Sequence, residues 1–205
     1  MFFSCGRPDS ALSPNPFKAC VVPRPIGWIS TVDASGNRNL APFSFFNAIS
    51  DLPPMVMFCA NGEHADGGEK DSVKNARETG EFVVNLATWG LRQAVNASSA
   101  EVGRGIDEFE LAGLTAAPSR LVRPPRVAES PISLECRVAD IYELPCDGEI
   151  GRMVMGRVLG MHIADEAIVD GRVSAAKLQP IARLGYREYS VLGEIFKMTR
   201  PGTPP

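Results

Sequence analysis

Lys70-Asp71-Ser72 opens a run that closes at Gly80. The run reads as a helix over 70–79, with Asp71 or Ser72 near its N-cap and Gly80 as its stop. Unpaired N–H groups and the positive end of the helix dipole gather at such a start and suit an anion. Lys70 adds a point charge and Ser72 a hydroxyl donor. From the residues alone, a plain helix cap beside a solvated lysine is the alternative.

The second concentration of chemistry lies between Pro23 and Asn47. Trp28, Ser30 and Thr31 fall in a strand-favouring run that turns at Asp33-Ala34-Ser35-Gly36-Asn37. The chain returns through Asn39-Leu40-Ala41-Pro42-Phe43, and Ser44, Phe45, Phe46 and Asn47 follow the second strand. Rings beside hydroxyls and amides suit a planar ligand with polar edges. The competing reading is a packed core. Alternation puts Phe43 and Phe45 on one strand face, opposite Ser44 and Phe46, so at least one of these aromatics is expected to be structural.

Isolated candidates complete the set. Arg183, in Ile181-Ala182-Arg183-Leu184-Gly185, either reaches the anion or pocket mouth or makes a surface ion pair. Tyr189 is a weaker candidate of the same kind. His64, in a Gly-rich loop, either gates the pocket or is solvated. His162 follows an apolar strand and reads as structural. Arg152 and Arg157 flank Met153–Gly156 and could hold an anionic ligand or a partner subunit.

These residues need a frame of strands. Strands are expected over 26–33, 38–44, 54–60, 81–86, 130–141 and 153–163, with a second helix over 91–97 and a turn at 170–172. Many closely spaced strands with two or three helices imply a barrel with peripheral helices. Residues 1–16 read as an irregular arm, 17–192 as the domain and 193–205 as a tail.

Composition narrows the function classes. The chain has 205 residues, 44% of them hydrophobic, and a net charge of -3, enough for one core. The charges form no basic field for nucleic acid. No apolar stretch reaches the length of about 20 residues that a membrane helix needs, and the N-terminus lacks the marks of a signal peptide. A cytoplasmic protein is expected. The five cysteines (Cys5, Cys20, Cys59, Cys136 and Cys146) are scattered, with no Cys-x-x-Cys, and only His64 and His162 accompany them. Free thiols are expected and a zinc site is not; Cys59 and Cys136 read as core. No nucleophile–base motif and no Gly-x-Gly-x-x-Gly is present.

The segments PRPIGWIST and NLAPFSFFN, followed by Glu69-Lys70-Asp71-Ser72 and Ile181-Ala182-Arg183-Leu184-Gly185, resemble in order and spacing the signatures of the flavin reductase-like family. The resemblance runs from about Phe17 to Val191. It implies a mostly β fold, an antiparallel Greek-key FMN-binding split β-barrel with a few peripheral helices. It implies FMN, with Lys70, Asp71 and Ser72 beside the phosphate and ribityl chain. Ser30, Thr31, Ser44, Phe45 and Asn47 would then be ligand-side. Trp28, Phe46 and Arg183 complete the expected cofactor-binding set, with no residue acting as acid or base. Where relatives commonly carry a second glycine after Arg-x-Gly, this chain has Tyr186. The implied activity is hydride transfer from NADH or NADPH to flavin, with a flavin-dependent monooxygenase among the recipients and a homodimer forming the site. A flavin-binding electron carrier, a degenerate interaction domain and a pyridoxamine-phosphate oxidase type are the rival readings.

Overall fold

The computed structural model describes residue 2, residues 16–145 and residues 148–202. Most of the expected arm, Cys5 and Cys146 lie outside the described residues. In chain order the elements are α1 Phe17–Cys20, β1 Arg24–Pro25, β2 Gly27–Val32, β3 Arg38–Phe43, β4 Phe46–Asp51, β5 Pro54–Asn61, α2 Asp71–Thr79 and β6 Glu81–Leu86. Then come α3 Arg92–Ala97, α4 Glu108–Leu111, β7 Ala116–Ala117, β8 Arg126–Val127, β9 Ile132–Leu144 and β10 Gly151–Ile163. The chain continues through β11 Ile168–Val169, β12 Arg172–Val173, α5 Ala175–Leu178, β13 Ile181–Arg183 and β14 Tyr189–Val191.

Seven strands form one antiparallel sheet in the order β3-β2-β6-β9-β10-β5-β4. The sheet curls on itself: Phe43 of edge strand β3 meets Phe58 of β5, ring centroids 5.0 Å apart. Ile29, Phe58, Phe82, Val84, Cys136 and Val154 fill the interior, closed by Val73 and Ala76 of α2. A second core lies outside the barrel, where Trp28, Leu40, Val95, Phe109, Val127 and Ile181 pack together. Strand β2 is therefore covered on both faces, and all six of its residues are buried. The mostly β split barrel with peripheral helices is the fold observed.

Three differences from the expected elements have physical causes. Phe46–Asp51 is a strand, although the sequence shows no alternation there. It is a sheet edge with five exposed residues and a register break between Ala48 and Ser50. The Phe43/Phe45 face is interrupted because β3 ends at Phe43. Strand β9 runs to Leu144, three residues past the expected end, because β9 and β10 stay paired from Ile132↔Ile163 out to Leu144↔Gly151. The turn at 170–172 is present, with Asp170 and Gly171 both at positive φ between β11 and β12.

Gly27 answers a close approach. A Cβ there would sit 2.5 Å from the Phe46 ring. The missing side chain lets Phe46 lie against β2 and join the barrel core.

Candidate functional site

Helix α2 begins at Asp71 with Lys70 as N-cap, and no side chain caps it. The first backbone bonds to Lys70 O come from Val73 and Lys74. The Asp71 and Ser72 N–H groups head the helix. The helix stops at Gly80, at φ 73°.

A carboxylate in the first turn would repel an anion, and Asp71 is neutralised. Arg104 pairs with Asp71 Oδ1 and also holds the carbonyls of Gly67 and Glu69, at 2.7 and 2.9 Å. His64 stands on the other side, with Nε2 3.5 Å from Asp71 Oδ2. Its Nδ1 accepts the Asp66 N–H at 3.0 Å. The loop ahead of α2 is thus tied down by charge-assisted bonds.

Lys70, Asp71 and Ser72 line a cavity of about 230 Å³. Asn39, Ala41, Pro42 and Phe43 of β3 form one wall, His64 and its neighbours another, and Ser98–Val102 a third. Asn39 Nδ2 donates to Ser72 Oγ at 2.9 Å. The Ser72 hydroxyl, accepting there, keeps its own hydrogen to donate. Glu108 also borders the cavity; burial pushes its carboxyl above the usual range, although it accepts the Leu40 N–H at 2.9 Å.

Trp28, Ser30 and Thr31 are not brought to this wall. All three are fully buried. Trp28 Nε1 donates to Ser98 Oγ at 2.9 Å. Ser30 Oγ donates to Pro125 O and accepts from Asn85. Thr31 Oγ1 accepts from Asn39 and Asn75, at 3.3 and 3.1 Å. Their main chains are engaged in the ladders to β3 and β6. Phe46 lies under Gly27, and exposed Asn47 turns its side-chain oxygen to the Ala48 N–H.

A second cleft, of about 600 Å³, adjoins the first and shares Pro42 and Ser99 with it. Ser44 and Arg183 line this one, together with Lys18, Arg24 and Tyr186. The Phe45 ring lies 5.9 Å from both Lys18 Nζ and the Arg24 guanidinium. Arg183 stacks on Tyr189, 4.5 Å from the ring centre, and donates to its hydroxyl at 2.5 Å and to Tyr186 O. Tyr186 stands at φ 55°, in the left-handed region that glycine occupies without strain.

The remaining candidates lie elsewhere. Buried Arg152 faces Glu69 Oε1 at 3.0 Å, off the hydrogen-bond line, with Glu143 at 3.6 Å. Arg157 is exposed on β10. His162 Nε2 lies 2.5 Å from Oε1 of buried Glu135. Cys136 is buried, Cys59 half-buried and Cys20 exposed.

Asn39, Arg104 and the Ser98–Val102 wall were not among the expected site residues. The small residues of Ser98-Ser99-Ala100 were a usable signal for close approach. Arg104, between two glycines and 33 residues from Asp71, gave none.

The model of the flavin reductase like domain matches residues 19–177. A Halalkalibacterium halodurans protein of uncharacterised function is 39% identical over 185 residues, 88% of this chain and 87% of its own. An uncharacterised Aquifex aeolicus protein is 36% identical, over 82% of this chain and 84% of its own. Among solved structures, nitrilotriacetate monooxygenase component B from Bacillus cereus superposes with a TM-score of 0.85 at 31% identity, covering 97% of this chain and 99% of that one. The Pseudomonas fluorescens 2-nitrobenzoate 2-nitroreductase gives 0.80 at 28% identity, over 92% and 90%. This chain belongs to the flavin reductase-like family of flavin-related oxidoreductases.

Proposed function

We propose that the protein is an FMN-dependent NAD(P)H oxidoreductase of the flavin reductase type. The observation that carries this reading is the start of α2, uncapped and facing a cavity beside Lys70 and the Ser72 hydroxyl. These donors fit a phosphate monoester. Lys70, Ser72 and the first N–H groups of α2 would hold it, with Arg104 keeping the Asp71 carboxylate occupied. Ala41, Pro42 and Phe43 offer the less polar wall that a flavin needs, and Ser44 carries that wall toward the second cleft. Bound there, FMN supplies the acceptor for hydride from NADH or NADPH. The protein's part is to hold, orient and shield, and no side chain here has to move a proton.

A homodimer belongs to the proposal. Edge strand β4 and its turn expose Ile49 and Leu52, the latter 90% exposed, and Met161 of β10 is also exposed. A second copy would cover such apolar surface. A flavin-dependent monooxygenase is the proposed recipient of reduced flavin, supported by the likeness to a monooxygenase component. No helix among the described residues is long and apolar enough to cross a membrane; a cytoplasmic setting completes the reading.

Titration of the flavin-free protein with FMN, followed by flavin fluorescence, tests the site. Saturable binding weakened by Lys70→Ala is expected. Equal affinity in the variant would remove Lys70 from the phosphate site, and no FMN binding at all would end the reading.

A further inference from the structure

The second cleft is cationic in a chain whose net charge is -3. Lys18, Arg24 and Arg183 border it, and no Asp or Glu does. None of the three makes an ion pair among the described residues. Positive charges gathered without a counter-charge repel one another. Burial, and then the charge of Arg183, lowers the pKa of Arg24. An arrangement of this kind is relieved by an anion.

The three cations have different work. Arg24 donates from its terminal nitrogens to the carbonyls of Lys18, Val21 and Leu184, while its buried Nε has no hydrogen-bond partner among the described residues. Arg183 is aimed. Tyr189 stacks on it and accepts from it, and Tyr186 O takes a second bond. Two of its five N–H donors are thereby used and three remain. The carbonyl that helps aim it belongs to a residue at φ 55°, a position that costs a tyrosine more than a glycine. Phe17, Tyr186 and Tyr189 supply ring surface around it, and about 600 Å³ is ample for a small aromatic molecule.

We propose that this cleft, between β13–β14 and α1, is a binding site for a planar aromatic carboxylate, with Arg183 gripping the carboxylate and the aromatic walls covering the ring. The cleft adjoins the cavity assigned to FMN through Pro42 and Ser99, so its role as a substrate subsite rests on the flavin reading. The binding of the acid itself does not.

Isothermal titration calorimetry on the full-length, flavin-free protein tests it, with benzoate, benzamide and inorganic phosphate as probes. Benzoate is expected to bind saturably, and benzamide about tenfold or more weaker for want of the charge. Arg183→Gln should cost benzoate about tenfold. Arg183→Lys, a charge without the fork, should fall between. Lys18→Ala, at an exposed position, should cost a few-fold and serves where an Arg183 variant fails to fold. Lys70→Ala should leave benzoate binding intact, which separates this site from the flavin site. Benzoate binding that persists in a protein unable to bind FMN would uphold this site and sink the flavin reading. Four results would overturn the proposal: no benzoate binding, phosphate binding as tightly as benzoate, no loss with Arg183→Gln and Lys18→Ala, or one-for-one displacement of benzoate by FMN.

Discussion

The Trp28 indole, fully buried in the second core, donates to Ser98 Oγ at 2.9 Å and so pins a wall of the candidate flavin cavity to strand β2. Ser98 Oγ in turn donates to Val95 O at 3.1 Å, closing the last turn of α3. Trp28 therefore acts on the site through Ser98 rather than by touching a ligand. Trp28→Phe keeps a ring but loses the donor. It should cost about 1–2 kcal/mol of stability and weaken FMN a few-fold; denaturant unfolding and FMN titration check the two halves.

Lys70 and Ser72 touch the anion directly in this account. Lys70→Ala should weaken FMN by about 1–3 kcal/mol. Riboflavin, which lacks the phosphate, should bind the wild type and the variant alike. A loss that is the same for both flavins would place Lys70 on the ring instead.

Gly27 and Phe46 form a pair that tolerates no extra carbon. Gly27→Ala would bring a Cβ within 2.5 Å of the ring and should destabilise by about 1–3 kcal/mol. Adding Phe46→Leu should restore part of the loss. Chemical denaturation of the single and double variants reads this coupling.

Glu135 gives the fold an acid limb. Burial alone would raise its pKa, but hydrogen bonds from the Arg120 and Leu121 N–H groups and from His162 bring it below the usual value. A carboxylate with a lowered native pKa adds stability above the unfolded value of about 4.3, and that stability is lost as pH falls through the lower native pKa. Glu135→Gln should be less stable at neutral pH and should show a shallower fall below that range. Thermal midpoints measured across pH decide this.

Cys136 has a thiol pushed strongly upward by burial and then by Glu135. It should resist alkylation in the native protein, whereas exposed Cys20 reacts. Mass mapping after native and unfolded labelling reports it.

Most of the frame was legible in the sequence, and the reasons are local. Helix α2 announces itself by a polar start and Gly80. Strand β5 shows in Met55-Val56-Met57-Phe58-Cys59, and the 170–172 turn in Asp170-Gly171. Edge strand β4 was not legible, because a strand exposed along its length carries no alternation. The start of α2 and its place beside a cavity could be read in part because a helix start is a local feature. Ser30 and Thr31 could not be assigned from type alone: their hydroxyls look ligand-ready, but Asn39, Asn75, Asn85 and Pro125 satisfy them. Those partners arrive from elements 8 to 95 residues away. Arg104 meets Asp71 by the same kind of distant encounter.

Hydride transfer from a nicotinamide to bound FMN is read by an anaerobic absorbance spectrum of the FMN-loaded protein, before and after NADH and then NADPH. Rapid bleaching of the flavin's visible band is expected with at least one of the two nicotinamides. A flavin that stays bound and yellow with both would contradict it and favour an electron carrier.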